Sequence, residues 1–213
     1  MDSFIRIVEI IGTIAFALSG AATGIRKGMD IFGVSILGII TAVGGGIIRD
    51  LMIGVTPPQC FRDSLYFIVA CLSAVIFFLP FIRIPLQKRH KAFDWVLFLM
   101  DTVGLAVFTV VGIQAAQRVS DDFGVILLVC VGVLTGTGGG VMRDLLARDM
   151  PYIFRKHVYA TASLAGAVVY LLLQRWAGDY VATAAAMAVI IVIRFLSATF
   201  HWNLPHAEEQ TEE

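Results

Sequence analysis

An all-α polytopic membrane protein with seven transmembrane helices is what this sequence predicts, on three observations. The chain is 58% hydrophobic and only 15% charged over 213 residues, whereas a soluble domain of ordinary composition carries about 25% charged residues. Its mean hydropathy is +0.85. The apolar residues also gather into runs of about 20, the length a helix needs to cross a bilayer, separated by short polar connections such as GIRKGMD and RIPLQKRHKAFD.

The spans are expected near residues 4–25, 31–53, 62–82, 93–117, 123–147, 156–175 and 179–200. The first resembles a cleaved leader, because ALSGAA looks like a cleavage site. Glu9 interrupts its apolar stretch, however, and Asp2 accompanies Arg6 at its start, so it reads as a retained span. The tail PHAEEQTEE is acidic and expected to be disordered. Lys and Arg set the orientation. Five of the sixteen fall on the side of the N-terminus and eleven on the other, so the N-terminus is expected outside and the C-terminus in the cytoplasm. Sixteen acidic residues balance the basic ones, and a neutral chain gives no reason to expect a nucleic-acid partner. Cys60, Cys71 and Cys130 are an odd set without C-x-x-C spacing, and no disulfide or metal site is expected of them.

The spans contain an internal duplication. EIIGTIAFALSG at Glu9–Gly20 aligns with DTVGLAVFTVVG at Asp101–Gly112, at an offset of 92. TAVGGGIIRDL at Thr41–Leu51 aligns with TGTGGGVMRDL at Thr135–Leu145, at an offset of 94. PQCFRDSLY at Pro58–Tyr66 aligns with PYIFRKHVY at Pro151–Tyr159, at an offset of 93. The repeating unit holds three spans. Three is odd, so the second unit enters the membrane from the opposite face, as in the inverted repeats of transporters and some channels. Residues 1–90 form the first unit, 91–177 the second, 178–203 an added seventh helix and 204–213 the tail.

Three consecutive glycines, twice, need a reason, since each costs a helix about 1 kcal/mol relative to Ala. Close packing is one reading. Gly38, Ala42 and Gly46 are spaced by four, as are Gly132, Gly136 and Gly140, and small residues let helices approach in lipid. Gly44, Gly45, Gly138 and Gly139 leave those stripes, which favours a second reading. In it the glycines loosen the hydrogen-bond ladder and bend the second and fifth spans, and freed carbonyls, with Thr41 and Thr135, line a wet path for a monovalent cation. Leu at Gly45 or Gly139 is then expected to block flux and leave assembly intact.

Charges surround these motifs. Arg49-Asp50 and Arg143-Asp144 are placed to flank two pore mouths or to anchor at the interface. Neighbours point about 100° apart on a helix, so neither pair is expected to close on itself. Glu9 and Asp101 lie inside their spans, where a carboxylate is a functional candidate; they attract cations or pair with Arg49 or Arg143. Arg194 is expected to snorkel to the cytoplasmic interface. Catalysis finds no support: GTGGGV departs from G-x-G-x-x-G at Val141, and no nucleophile, base or metal-ligand spacing stands out.

With seven spans in a three-plus-three-plus-one plan and GGG-x-x-RD on the second and fifth, the chain resembles the prokaryotic trimeric intracellular cation (TRIC) channels, also catalogued as a glycine-transporter-like membrane family. The resemblance covers about residues 4–200. It implies a homotrimer with a pore in each protomer, lined by kinks at Gly44–Gly46 and Gly138–Gly140 and by the Glu9–Gly20 and Asp101–Gly112 faces. It implies permeant potassium, or sodium, no cofactor beyond bound membrane lipid, and a bacterial inner membrane. Animal members have Lys-Glu where this chain has Arg49-Asp50, and a basic tail where this one is acidic, so lipid regulation does not carry over. A secondary transporter of a small zwitterion such as glycine is the alternative, and a scaffold in which the glycines only pack is a third.

Overall fold

The computed structural model describes residues 2–155, 158–200 and 202, and among them every regular element is helical. The acidic tail expected at 204–213 lies outside the described residues. Helix α1 spans Asp2–Arg26, α2 Ile31–Met52, α3 Gln59–Arg62, α4 Leu65–Phe78 and α5 Pro80–Gln87. Helix α6 spans His90–Val119, α7 Val125–Leu146, α8 Tyr152–Arg155 and α9 Val158–Phe200. Five of these helices are long and apolar enough to cross a membrane, or six if the bent pair α4 and α5 makes one span. The outward faces are apolar: Phe32 is 72% exposed and Ile126 81%. Water would not tolerate such a surface, and lipid accepts it. The protein is a multi-pass membrane protein.

One boundary differs from the sequence reading. The third span, expected as one helix over 62–82, breaks after Phe78, and α5 leaves at 61° to α4. Pro80 is the cause. A residue before proline is driven out of the helical region, and Leu79 sits at φ −57°, ψ 140°. The last two spans, expected as separate helices over 156–175 and 179–200, are two helices within α9 that meet at a break at Gly178, whose φ of 76° and ψ of 166° are not helical. Such a conformation is open to glycine and costly for other residues.

Helices α1, α2, α6 and α7 form the centre. Helix α1 packs on α2 and α6, and α7 packs on the same two helices. Helix α4 covers α1 and α2, while α9 covers α6 and α7. Local details recur along the aligned segments. The Ile53 N–H bonds the Arg49 carbonyl at 3.0 Å, as Ala147 bonds Arg143 at 2.9 Å. Val55 closes on Asp50 at 2.8 Å, as Asp149 closes on Asp144 at 2.8 Å. The turn residue between is left-handed in both, Gly54 at φ 76° and Arg148 at φ 56°.

Candidate functional site

The glycine triplets meet where α2 crosses α7. A Cβ on Gly45 would fall on the Thr135 carbonyl oxygen, and one on Gly139 would fall on the Thr41 carbonyl oxygen. The two backbones therefore touch, each through the central glycine of its triplet. Thr41 and Thr135 turn their hydroxyls onto their own helices, donating to the Leu37 and Val131 carbonyls at 2.6 Å. Both threonines are buried. Beside the crossing, Phe16 and Phe108 lie with ring centroids 5.3 Å apart.

This corrects three expectations. Both triplets stay helical, so the expected loosening of the ladder is absent. The reason is burial: an open backbone at this dry contact would strand N–H and C=O groups with no partner. Gly45 and Gly139, expected to lie off the packing stripe, are packed backbone against backbone at the crossing. Leucine there would push α2 from α7, so it would not leave assembly intact. Gly46, which belonged to the stripe, lines a cavity instead, and an added Cβ there would meet only Arg49 Nη2, at an ordinary contact distance of 3.7 Å. Of the other triplet residues, Gly44 faces Met142, Gly138 faces Gly45 and Ile48, and Gly140 faces the Tyr159 hydroxyl.

The matched charges have different fates in the two units. In the second, Asp101 accepts from Arg143 Nη1 at 2.7 Å, from Arg194 Nη2 at 3.3 Å and from the Tyr159 hydroxyl at 3.4 Å. Arg143 also donates through Nε to Asp144 at 2.8 Å and through Nη1 to Ser19 Oγ at 2.6 Å. Asp144 takes the Tyr152 N–H at 3.0 Å. Arg194 donates to Thr102 Oγ1 at 3.4 Å and lies over the Phe98 and Tyr159 rings. Two arginines and two aspartates thus form a buried, neutral cluster. Arg194, expected to snorkel, is 3% exposed and paired. Lipid gives a charge no solvation, and a carboxylate within reach attracts it more strongly than the distant interface does.

In the first unit the corresponding groups stay apart. Glu9 accepts a short hydrogen bond from the Tyr66 hydroxyl. Arg49 donates through Nε to Asp50 at 2.9 Å, and Asp50 takes the Gln59 N–H at 2.7 Å. Glu9 and Arg49 form no ion pair among the described residues, although both line one cavity of about 60 Å³, with Thr13, Gly46, Asp50 and Tyr66. That is room for a few waters. Two carboxylates and one guanidinium leave its wall with one net negative charge. In both units the Arg-Asp neighbours do pair, against expectation. An arginine side chain is long enough to wrap around the helix, and the other aspartate oxygen is held by a backbone N–H on the following short helix.

A larger cavity, about 440 Å³, opens at the other end of α1, lined by Thr23, Arg26, Lys27, Asp144, Asp149 and Tyr152. Lys27 bonds Asp149 across it at 2.6 Å. Glu9 and Thr23 are fourteen residues apart on α1, or about 21 Å of helix rise. Asp50 therefore lines the cavity at one end of the glycine crossing and Asp144 the cavity at the other. Outside the spans, burial and then the Asp50 carboxylate push the Cys60 thiol up, and burial pushes the Tyr152 hydroxyl up. Sequence reasoning missed the roles of Tyr66, Tyr159, Ser19 and Arg194. The first two carried a signal, since they are aligned in the third duplicated segment.

A family model described as "Glycine transporter" matches residues 6–81 and 98–175. A UPF0126 membrane protein of Deinococcus radiodurans is 38% identical over 93% of this chain and 89% of its own length. The UPF0126 inner membrane protein YadS of Escherichia coli is 36% identical over 92% of both chains. Among solved structures, a prokaryotic TRIC channel crystallised in 0.5 M KCl superposes with a TM-score of 0.86 at 30% identity, over 96% of this chain and 100% of that one. The TRIC trimeric intracellular cation channel orthologue from Rhodobacter sphaeroides gives a TM-score of 0.84 at 34% identity, over 94% and 100%. The chain belongs to the UPF0126 family of bacterial membrane proteins, which is also the family of the prokaryotic TRIC channels.

Proposed function

We propose that this chain is a monovalent cation channel, selective for potassium, with one conduction path in each protomer. The path runs from the cavity at Glu9, Arg49 and Asp50 to the cavity at Thr23 and Asp144. The triplets Gly44–Gly46 and Gly138–Gly140, with Thr41 and Thr135, form its waist. The observation that carries this reading is the pair of polar cavities at opposite ends of the glycine crossing, one of them with net negative charge on its wall. Inside a bilayer such cavities are otherwise costly. The match to solved structures described as TRIC cation channels supports it over nearly the whole length.

The same reading takes residues 1–90 and 91–177 as inverted three-helix units and counts seven crossings by dividing α9 at Gly178. The two matched segments of the family model and the recurring turns after α2 and α7 support the duplication. The N-terminus lies outside, the C-terminus lies in the cytoplasm of a bacterial inner membrane, and three copies assemble in contact with lipid.

Recording of the purified protein in a planar bilayer under a KCl gradient tests this. Discrete openings that reverse near the potassium potential are expected, and a silent bilayer overturns the channel. Transport of a small zwitterion is the second reading, favoured by one observation: Glu9 and Arg49 line one cavity without pairing with each other, a partner for an ammonium beside a partner for a carboxylate. Saturable uptake of labelled glycine by vesicles whose bilayer is silent would select it.

A further inference from the structure

On the channel reading, on which this rests, we infer that Tyr66 is a positioning residue for cation selection. Its hydroxyl holds the Glu9 carboxylate off Arg49 and so keeps that carboxylate free to meet a passing cation. The aligned segments place the same three residue types in both units: Glu9 matches Asp101, Arg49 matches Arg143 and Tyr66 matches Tyr159. The two sets are arranged differently. In the second unit the acid has closed on the arginine, at 2.7 Å, and the tyrosine hydroxyl is the longer contact, at 3.4 Å. In the first unit the preference is reversed. Tyr66 donates a short hydrogen bond to Glu9 Oε2, and Glu9 makes no ion pair with Arg49 among the described residues.

Glu9 and Arg49 nevertheless line one small cavity. Arg49 donates through Nε to Asp50 at 2.9 Å, while its Nη2 reaches the cavity wall beside Gly46. Opposite charges in a poorly solvated site attract strongly, so their separation needs a cause. A hydroxyl that donates to a carboxylate makes a charge-assisted bond, about twice as strong as one between neutral groups. Being uncharged, Tyr66 steadies Glu9 without cancelling its charge. The second unit shows what overrides such a hold. Two cations draw Asp101, Arg143 at 2.7 Å and Arg194 at 3.3 Å. Among the described residues Arg49 is the one cation on the wall of the Glu9 cavity, and Asp50 already engages it. Swinging Glu9 onto Arg49 would leave the sum of charges on that wall unchanged, but it would spend the carboxylate on a guanidinium.

Reversal potentials in a KCl gradient test this on the full chain and three variants: Tyr66→Phe, Glu9→Gln and the two combined. Tyr66→Phe keeps the ring and removes only the hydroxyl. It is expected to shift the reversal potential toward zero, as Glu9→Gln does, and to add no further shift once Glu9 is replaced. A Tyr66→Phe potential equal to that of the unaltered chain would reduce Tyr66 to a structural role and overturn the inference. A further shift in the combined variant would make Tyr66 act apart from Glu9 and overturn it too. A second readout does not depend on conduction. Melting shifts of Glu9→Gln, Arg49→Gln and their combination form a double-mutant cycle, run once in the unaltered chain and once with Tyr66→Phe. The Arg49–Asp50 bond is lost on both sides of each cycle and cancels. The departure from additivity should be larger with Tyr66→Phe, because Glu9 then sits on Arg49. Equal departures in the two backgrounds would overturn the inference whatever the recordings show. A silent bilayer with unequal departures would strike the channel reading and uphold the placement of Glu9 by Tyr66.

Discussion

Gly45 and Gly46 are neighbours with opposite surroundings. A methyl on Gly45 meets the Thr135 backbone, which cannot move aside without separating α2 from α7, while a methyl on Gly46 enters the cavity. Gly45→Ala is therefore expected to lower thermal stability in detergent by about 1–3 kcal/mol. Gly46→Ala should cost nothing or add a little through helix propensity. Equal melting shifts for the two variants would show that the crossing is not the tight contact described. The charged cluster makes a second case. Arg194→Met leaves one uncompensated negative charge among Asp101, Arg143 and Asp144, which should cost about 3–5 kcal/mol. Adding Asp101→Asn restores neutrality, so the double variant should be more stable than Arg194→Met alone. Additive losses in a double-mutant cycle would mean that the two residues do not act as a pair.

The turns after α2 and α7 are one device built twice with different residues. Both close by the same two backbone hydrogen bonds and need a left-handed residue between them. The first supplies Gly54 and the second supplies Arg148. A side chain in that region costs about 1–2 kcal/mol. Arg148→Gly should therefore raise the unfolding temperature and Gly54→Arg should lower it, read by thermal unfolding of the purified protein. The opposite signs would mean that Arg148 makes contacts worth more than its backbone strain. The break between α4 and α5 was also open to reading, since Pro80 follows Leu79 directly. The hydropathy of residues 62–82 nevertheless runs straight through it, because hydropathy is blind to direction.

Across the whole molecule, two units of similar sequence meet in one bundle, but only one keeps its charges dry. The second unit is completed by Arg194 from the far end of α9, which joins Arg143 on Asp101. Among the described residues no such helix lies beside the first, and its carboxylate at Glu9 is left to Tyr66 and the cavity. If Glu9 supplies the charge that favours cations, Glu9→Gln should shift the reversal potential in a KCl gradient toward zero and leave the protein folded. An unchanged reversal potential would move selectivity elsewhere along the path.

Composition, hydropathy runs and three aligned segments were enough by themselves to establish an all-helical membrane protein and a sequence that repeats three of its segments. They also singled out Glu9, Asp101, the glycine triplets and the Arg-Asp neighbours, because periodicity and repetition are properties of the chain taken in order. Tertiary structure alone decided which glycine packs and which faces a cavity, because that depends on where two helices cross. It alone brought Arg194 to Asp101 across 93 residues and let the arginines fold back on their own neighbours. Pairings of that kind are chosen by desolvation in three dimensions, and residue spacing along one helix does not carry that information.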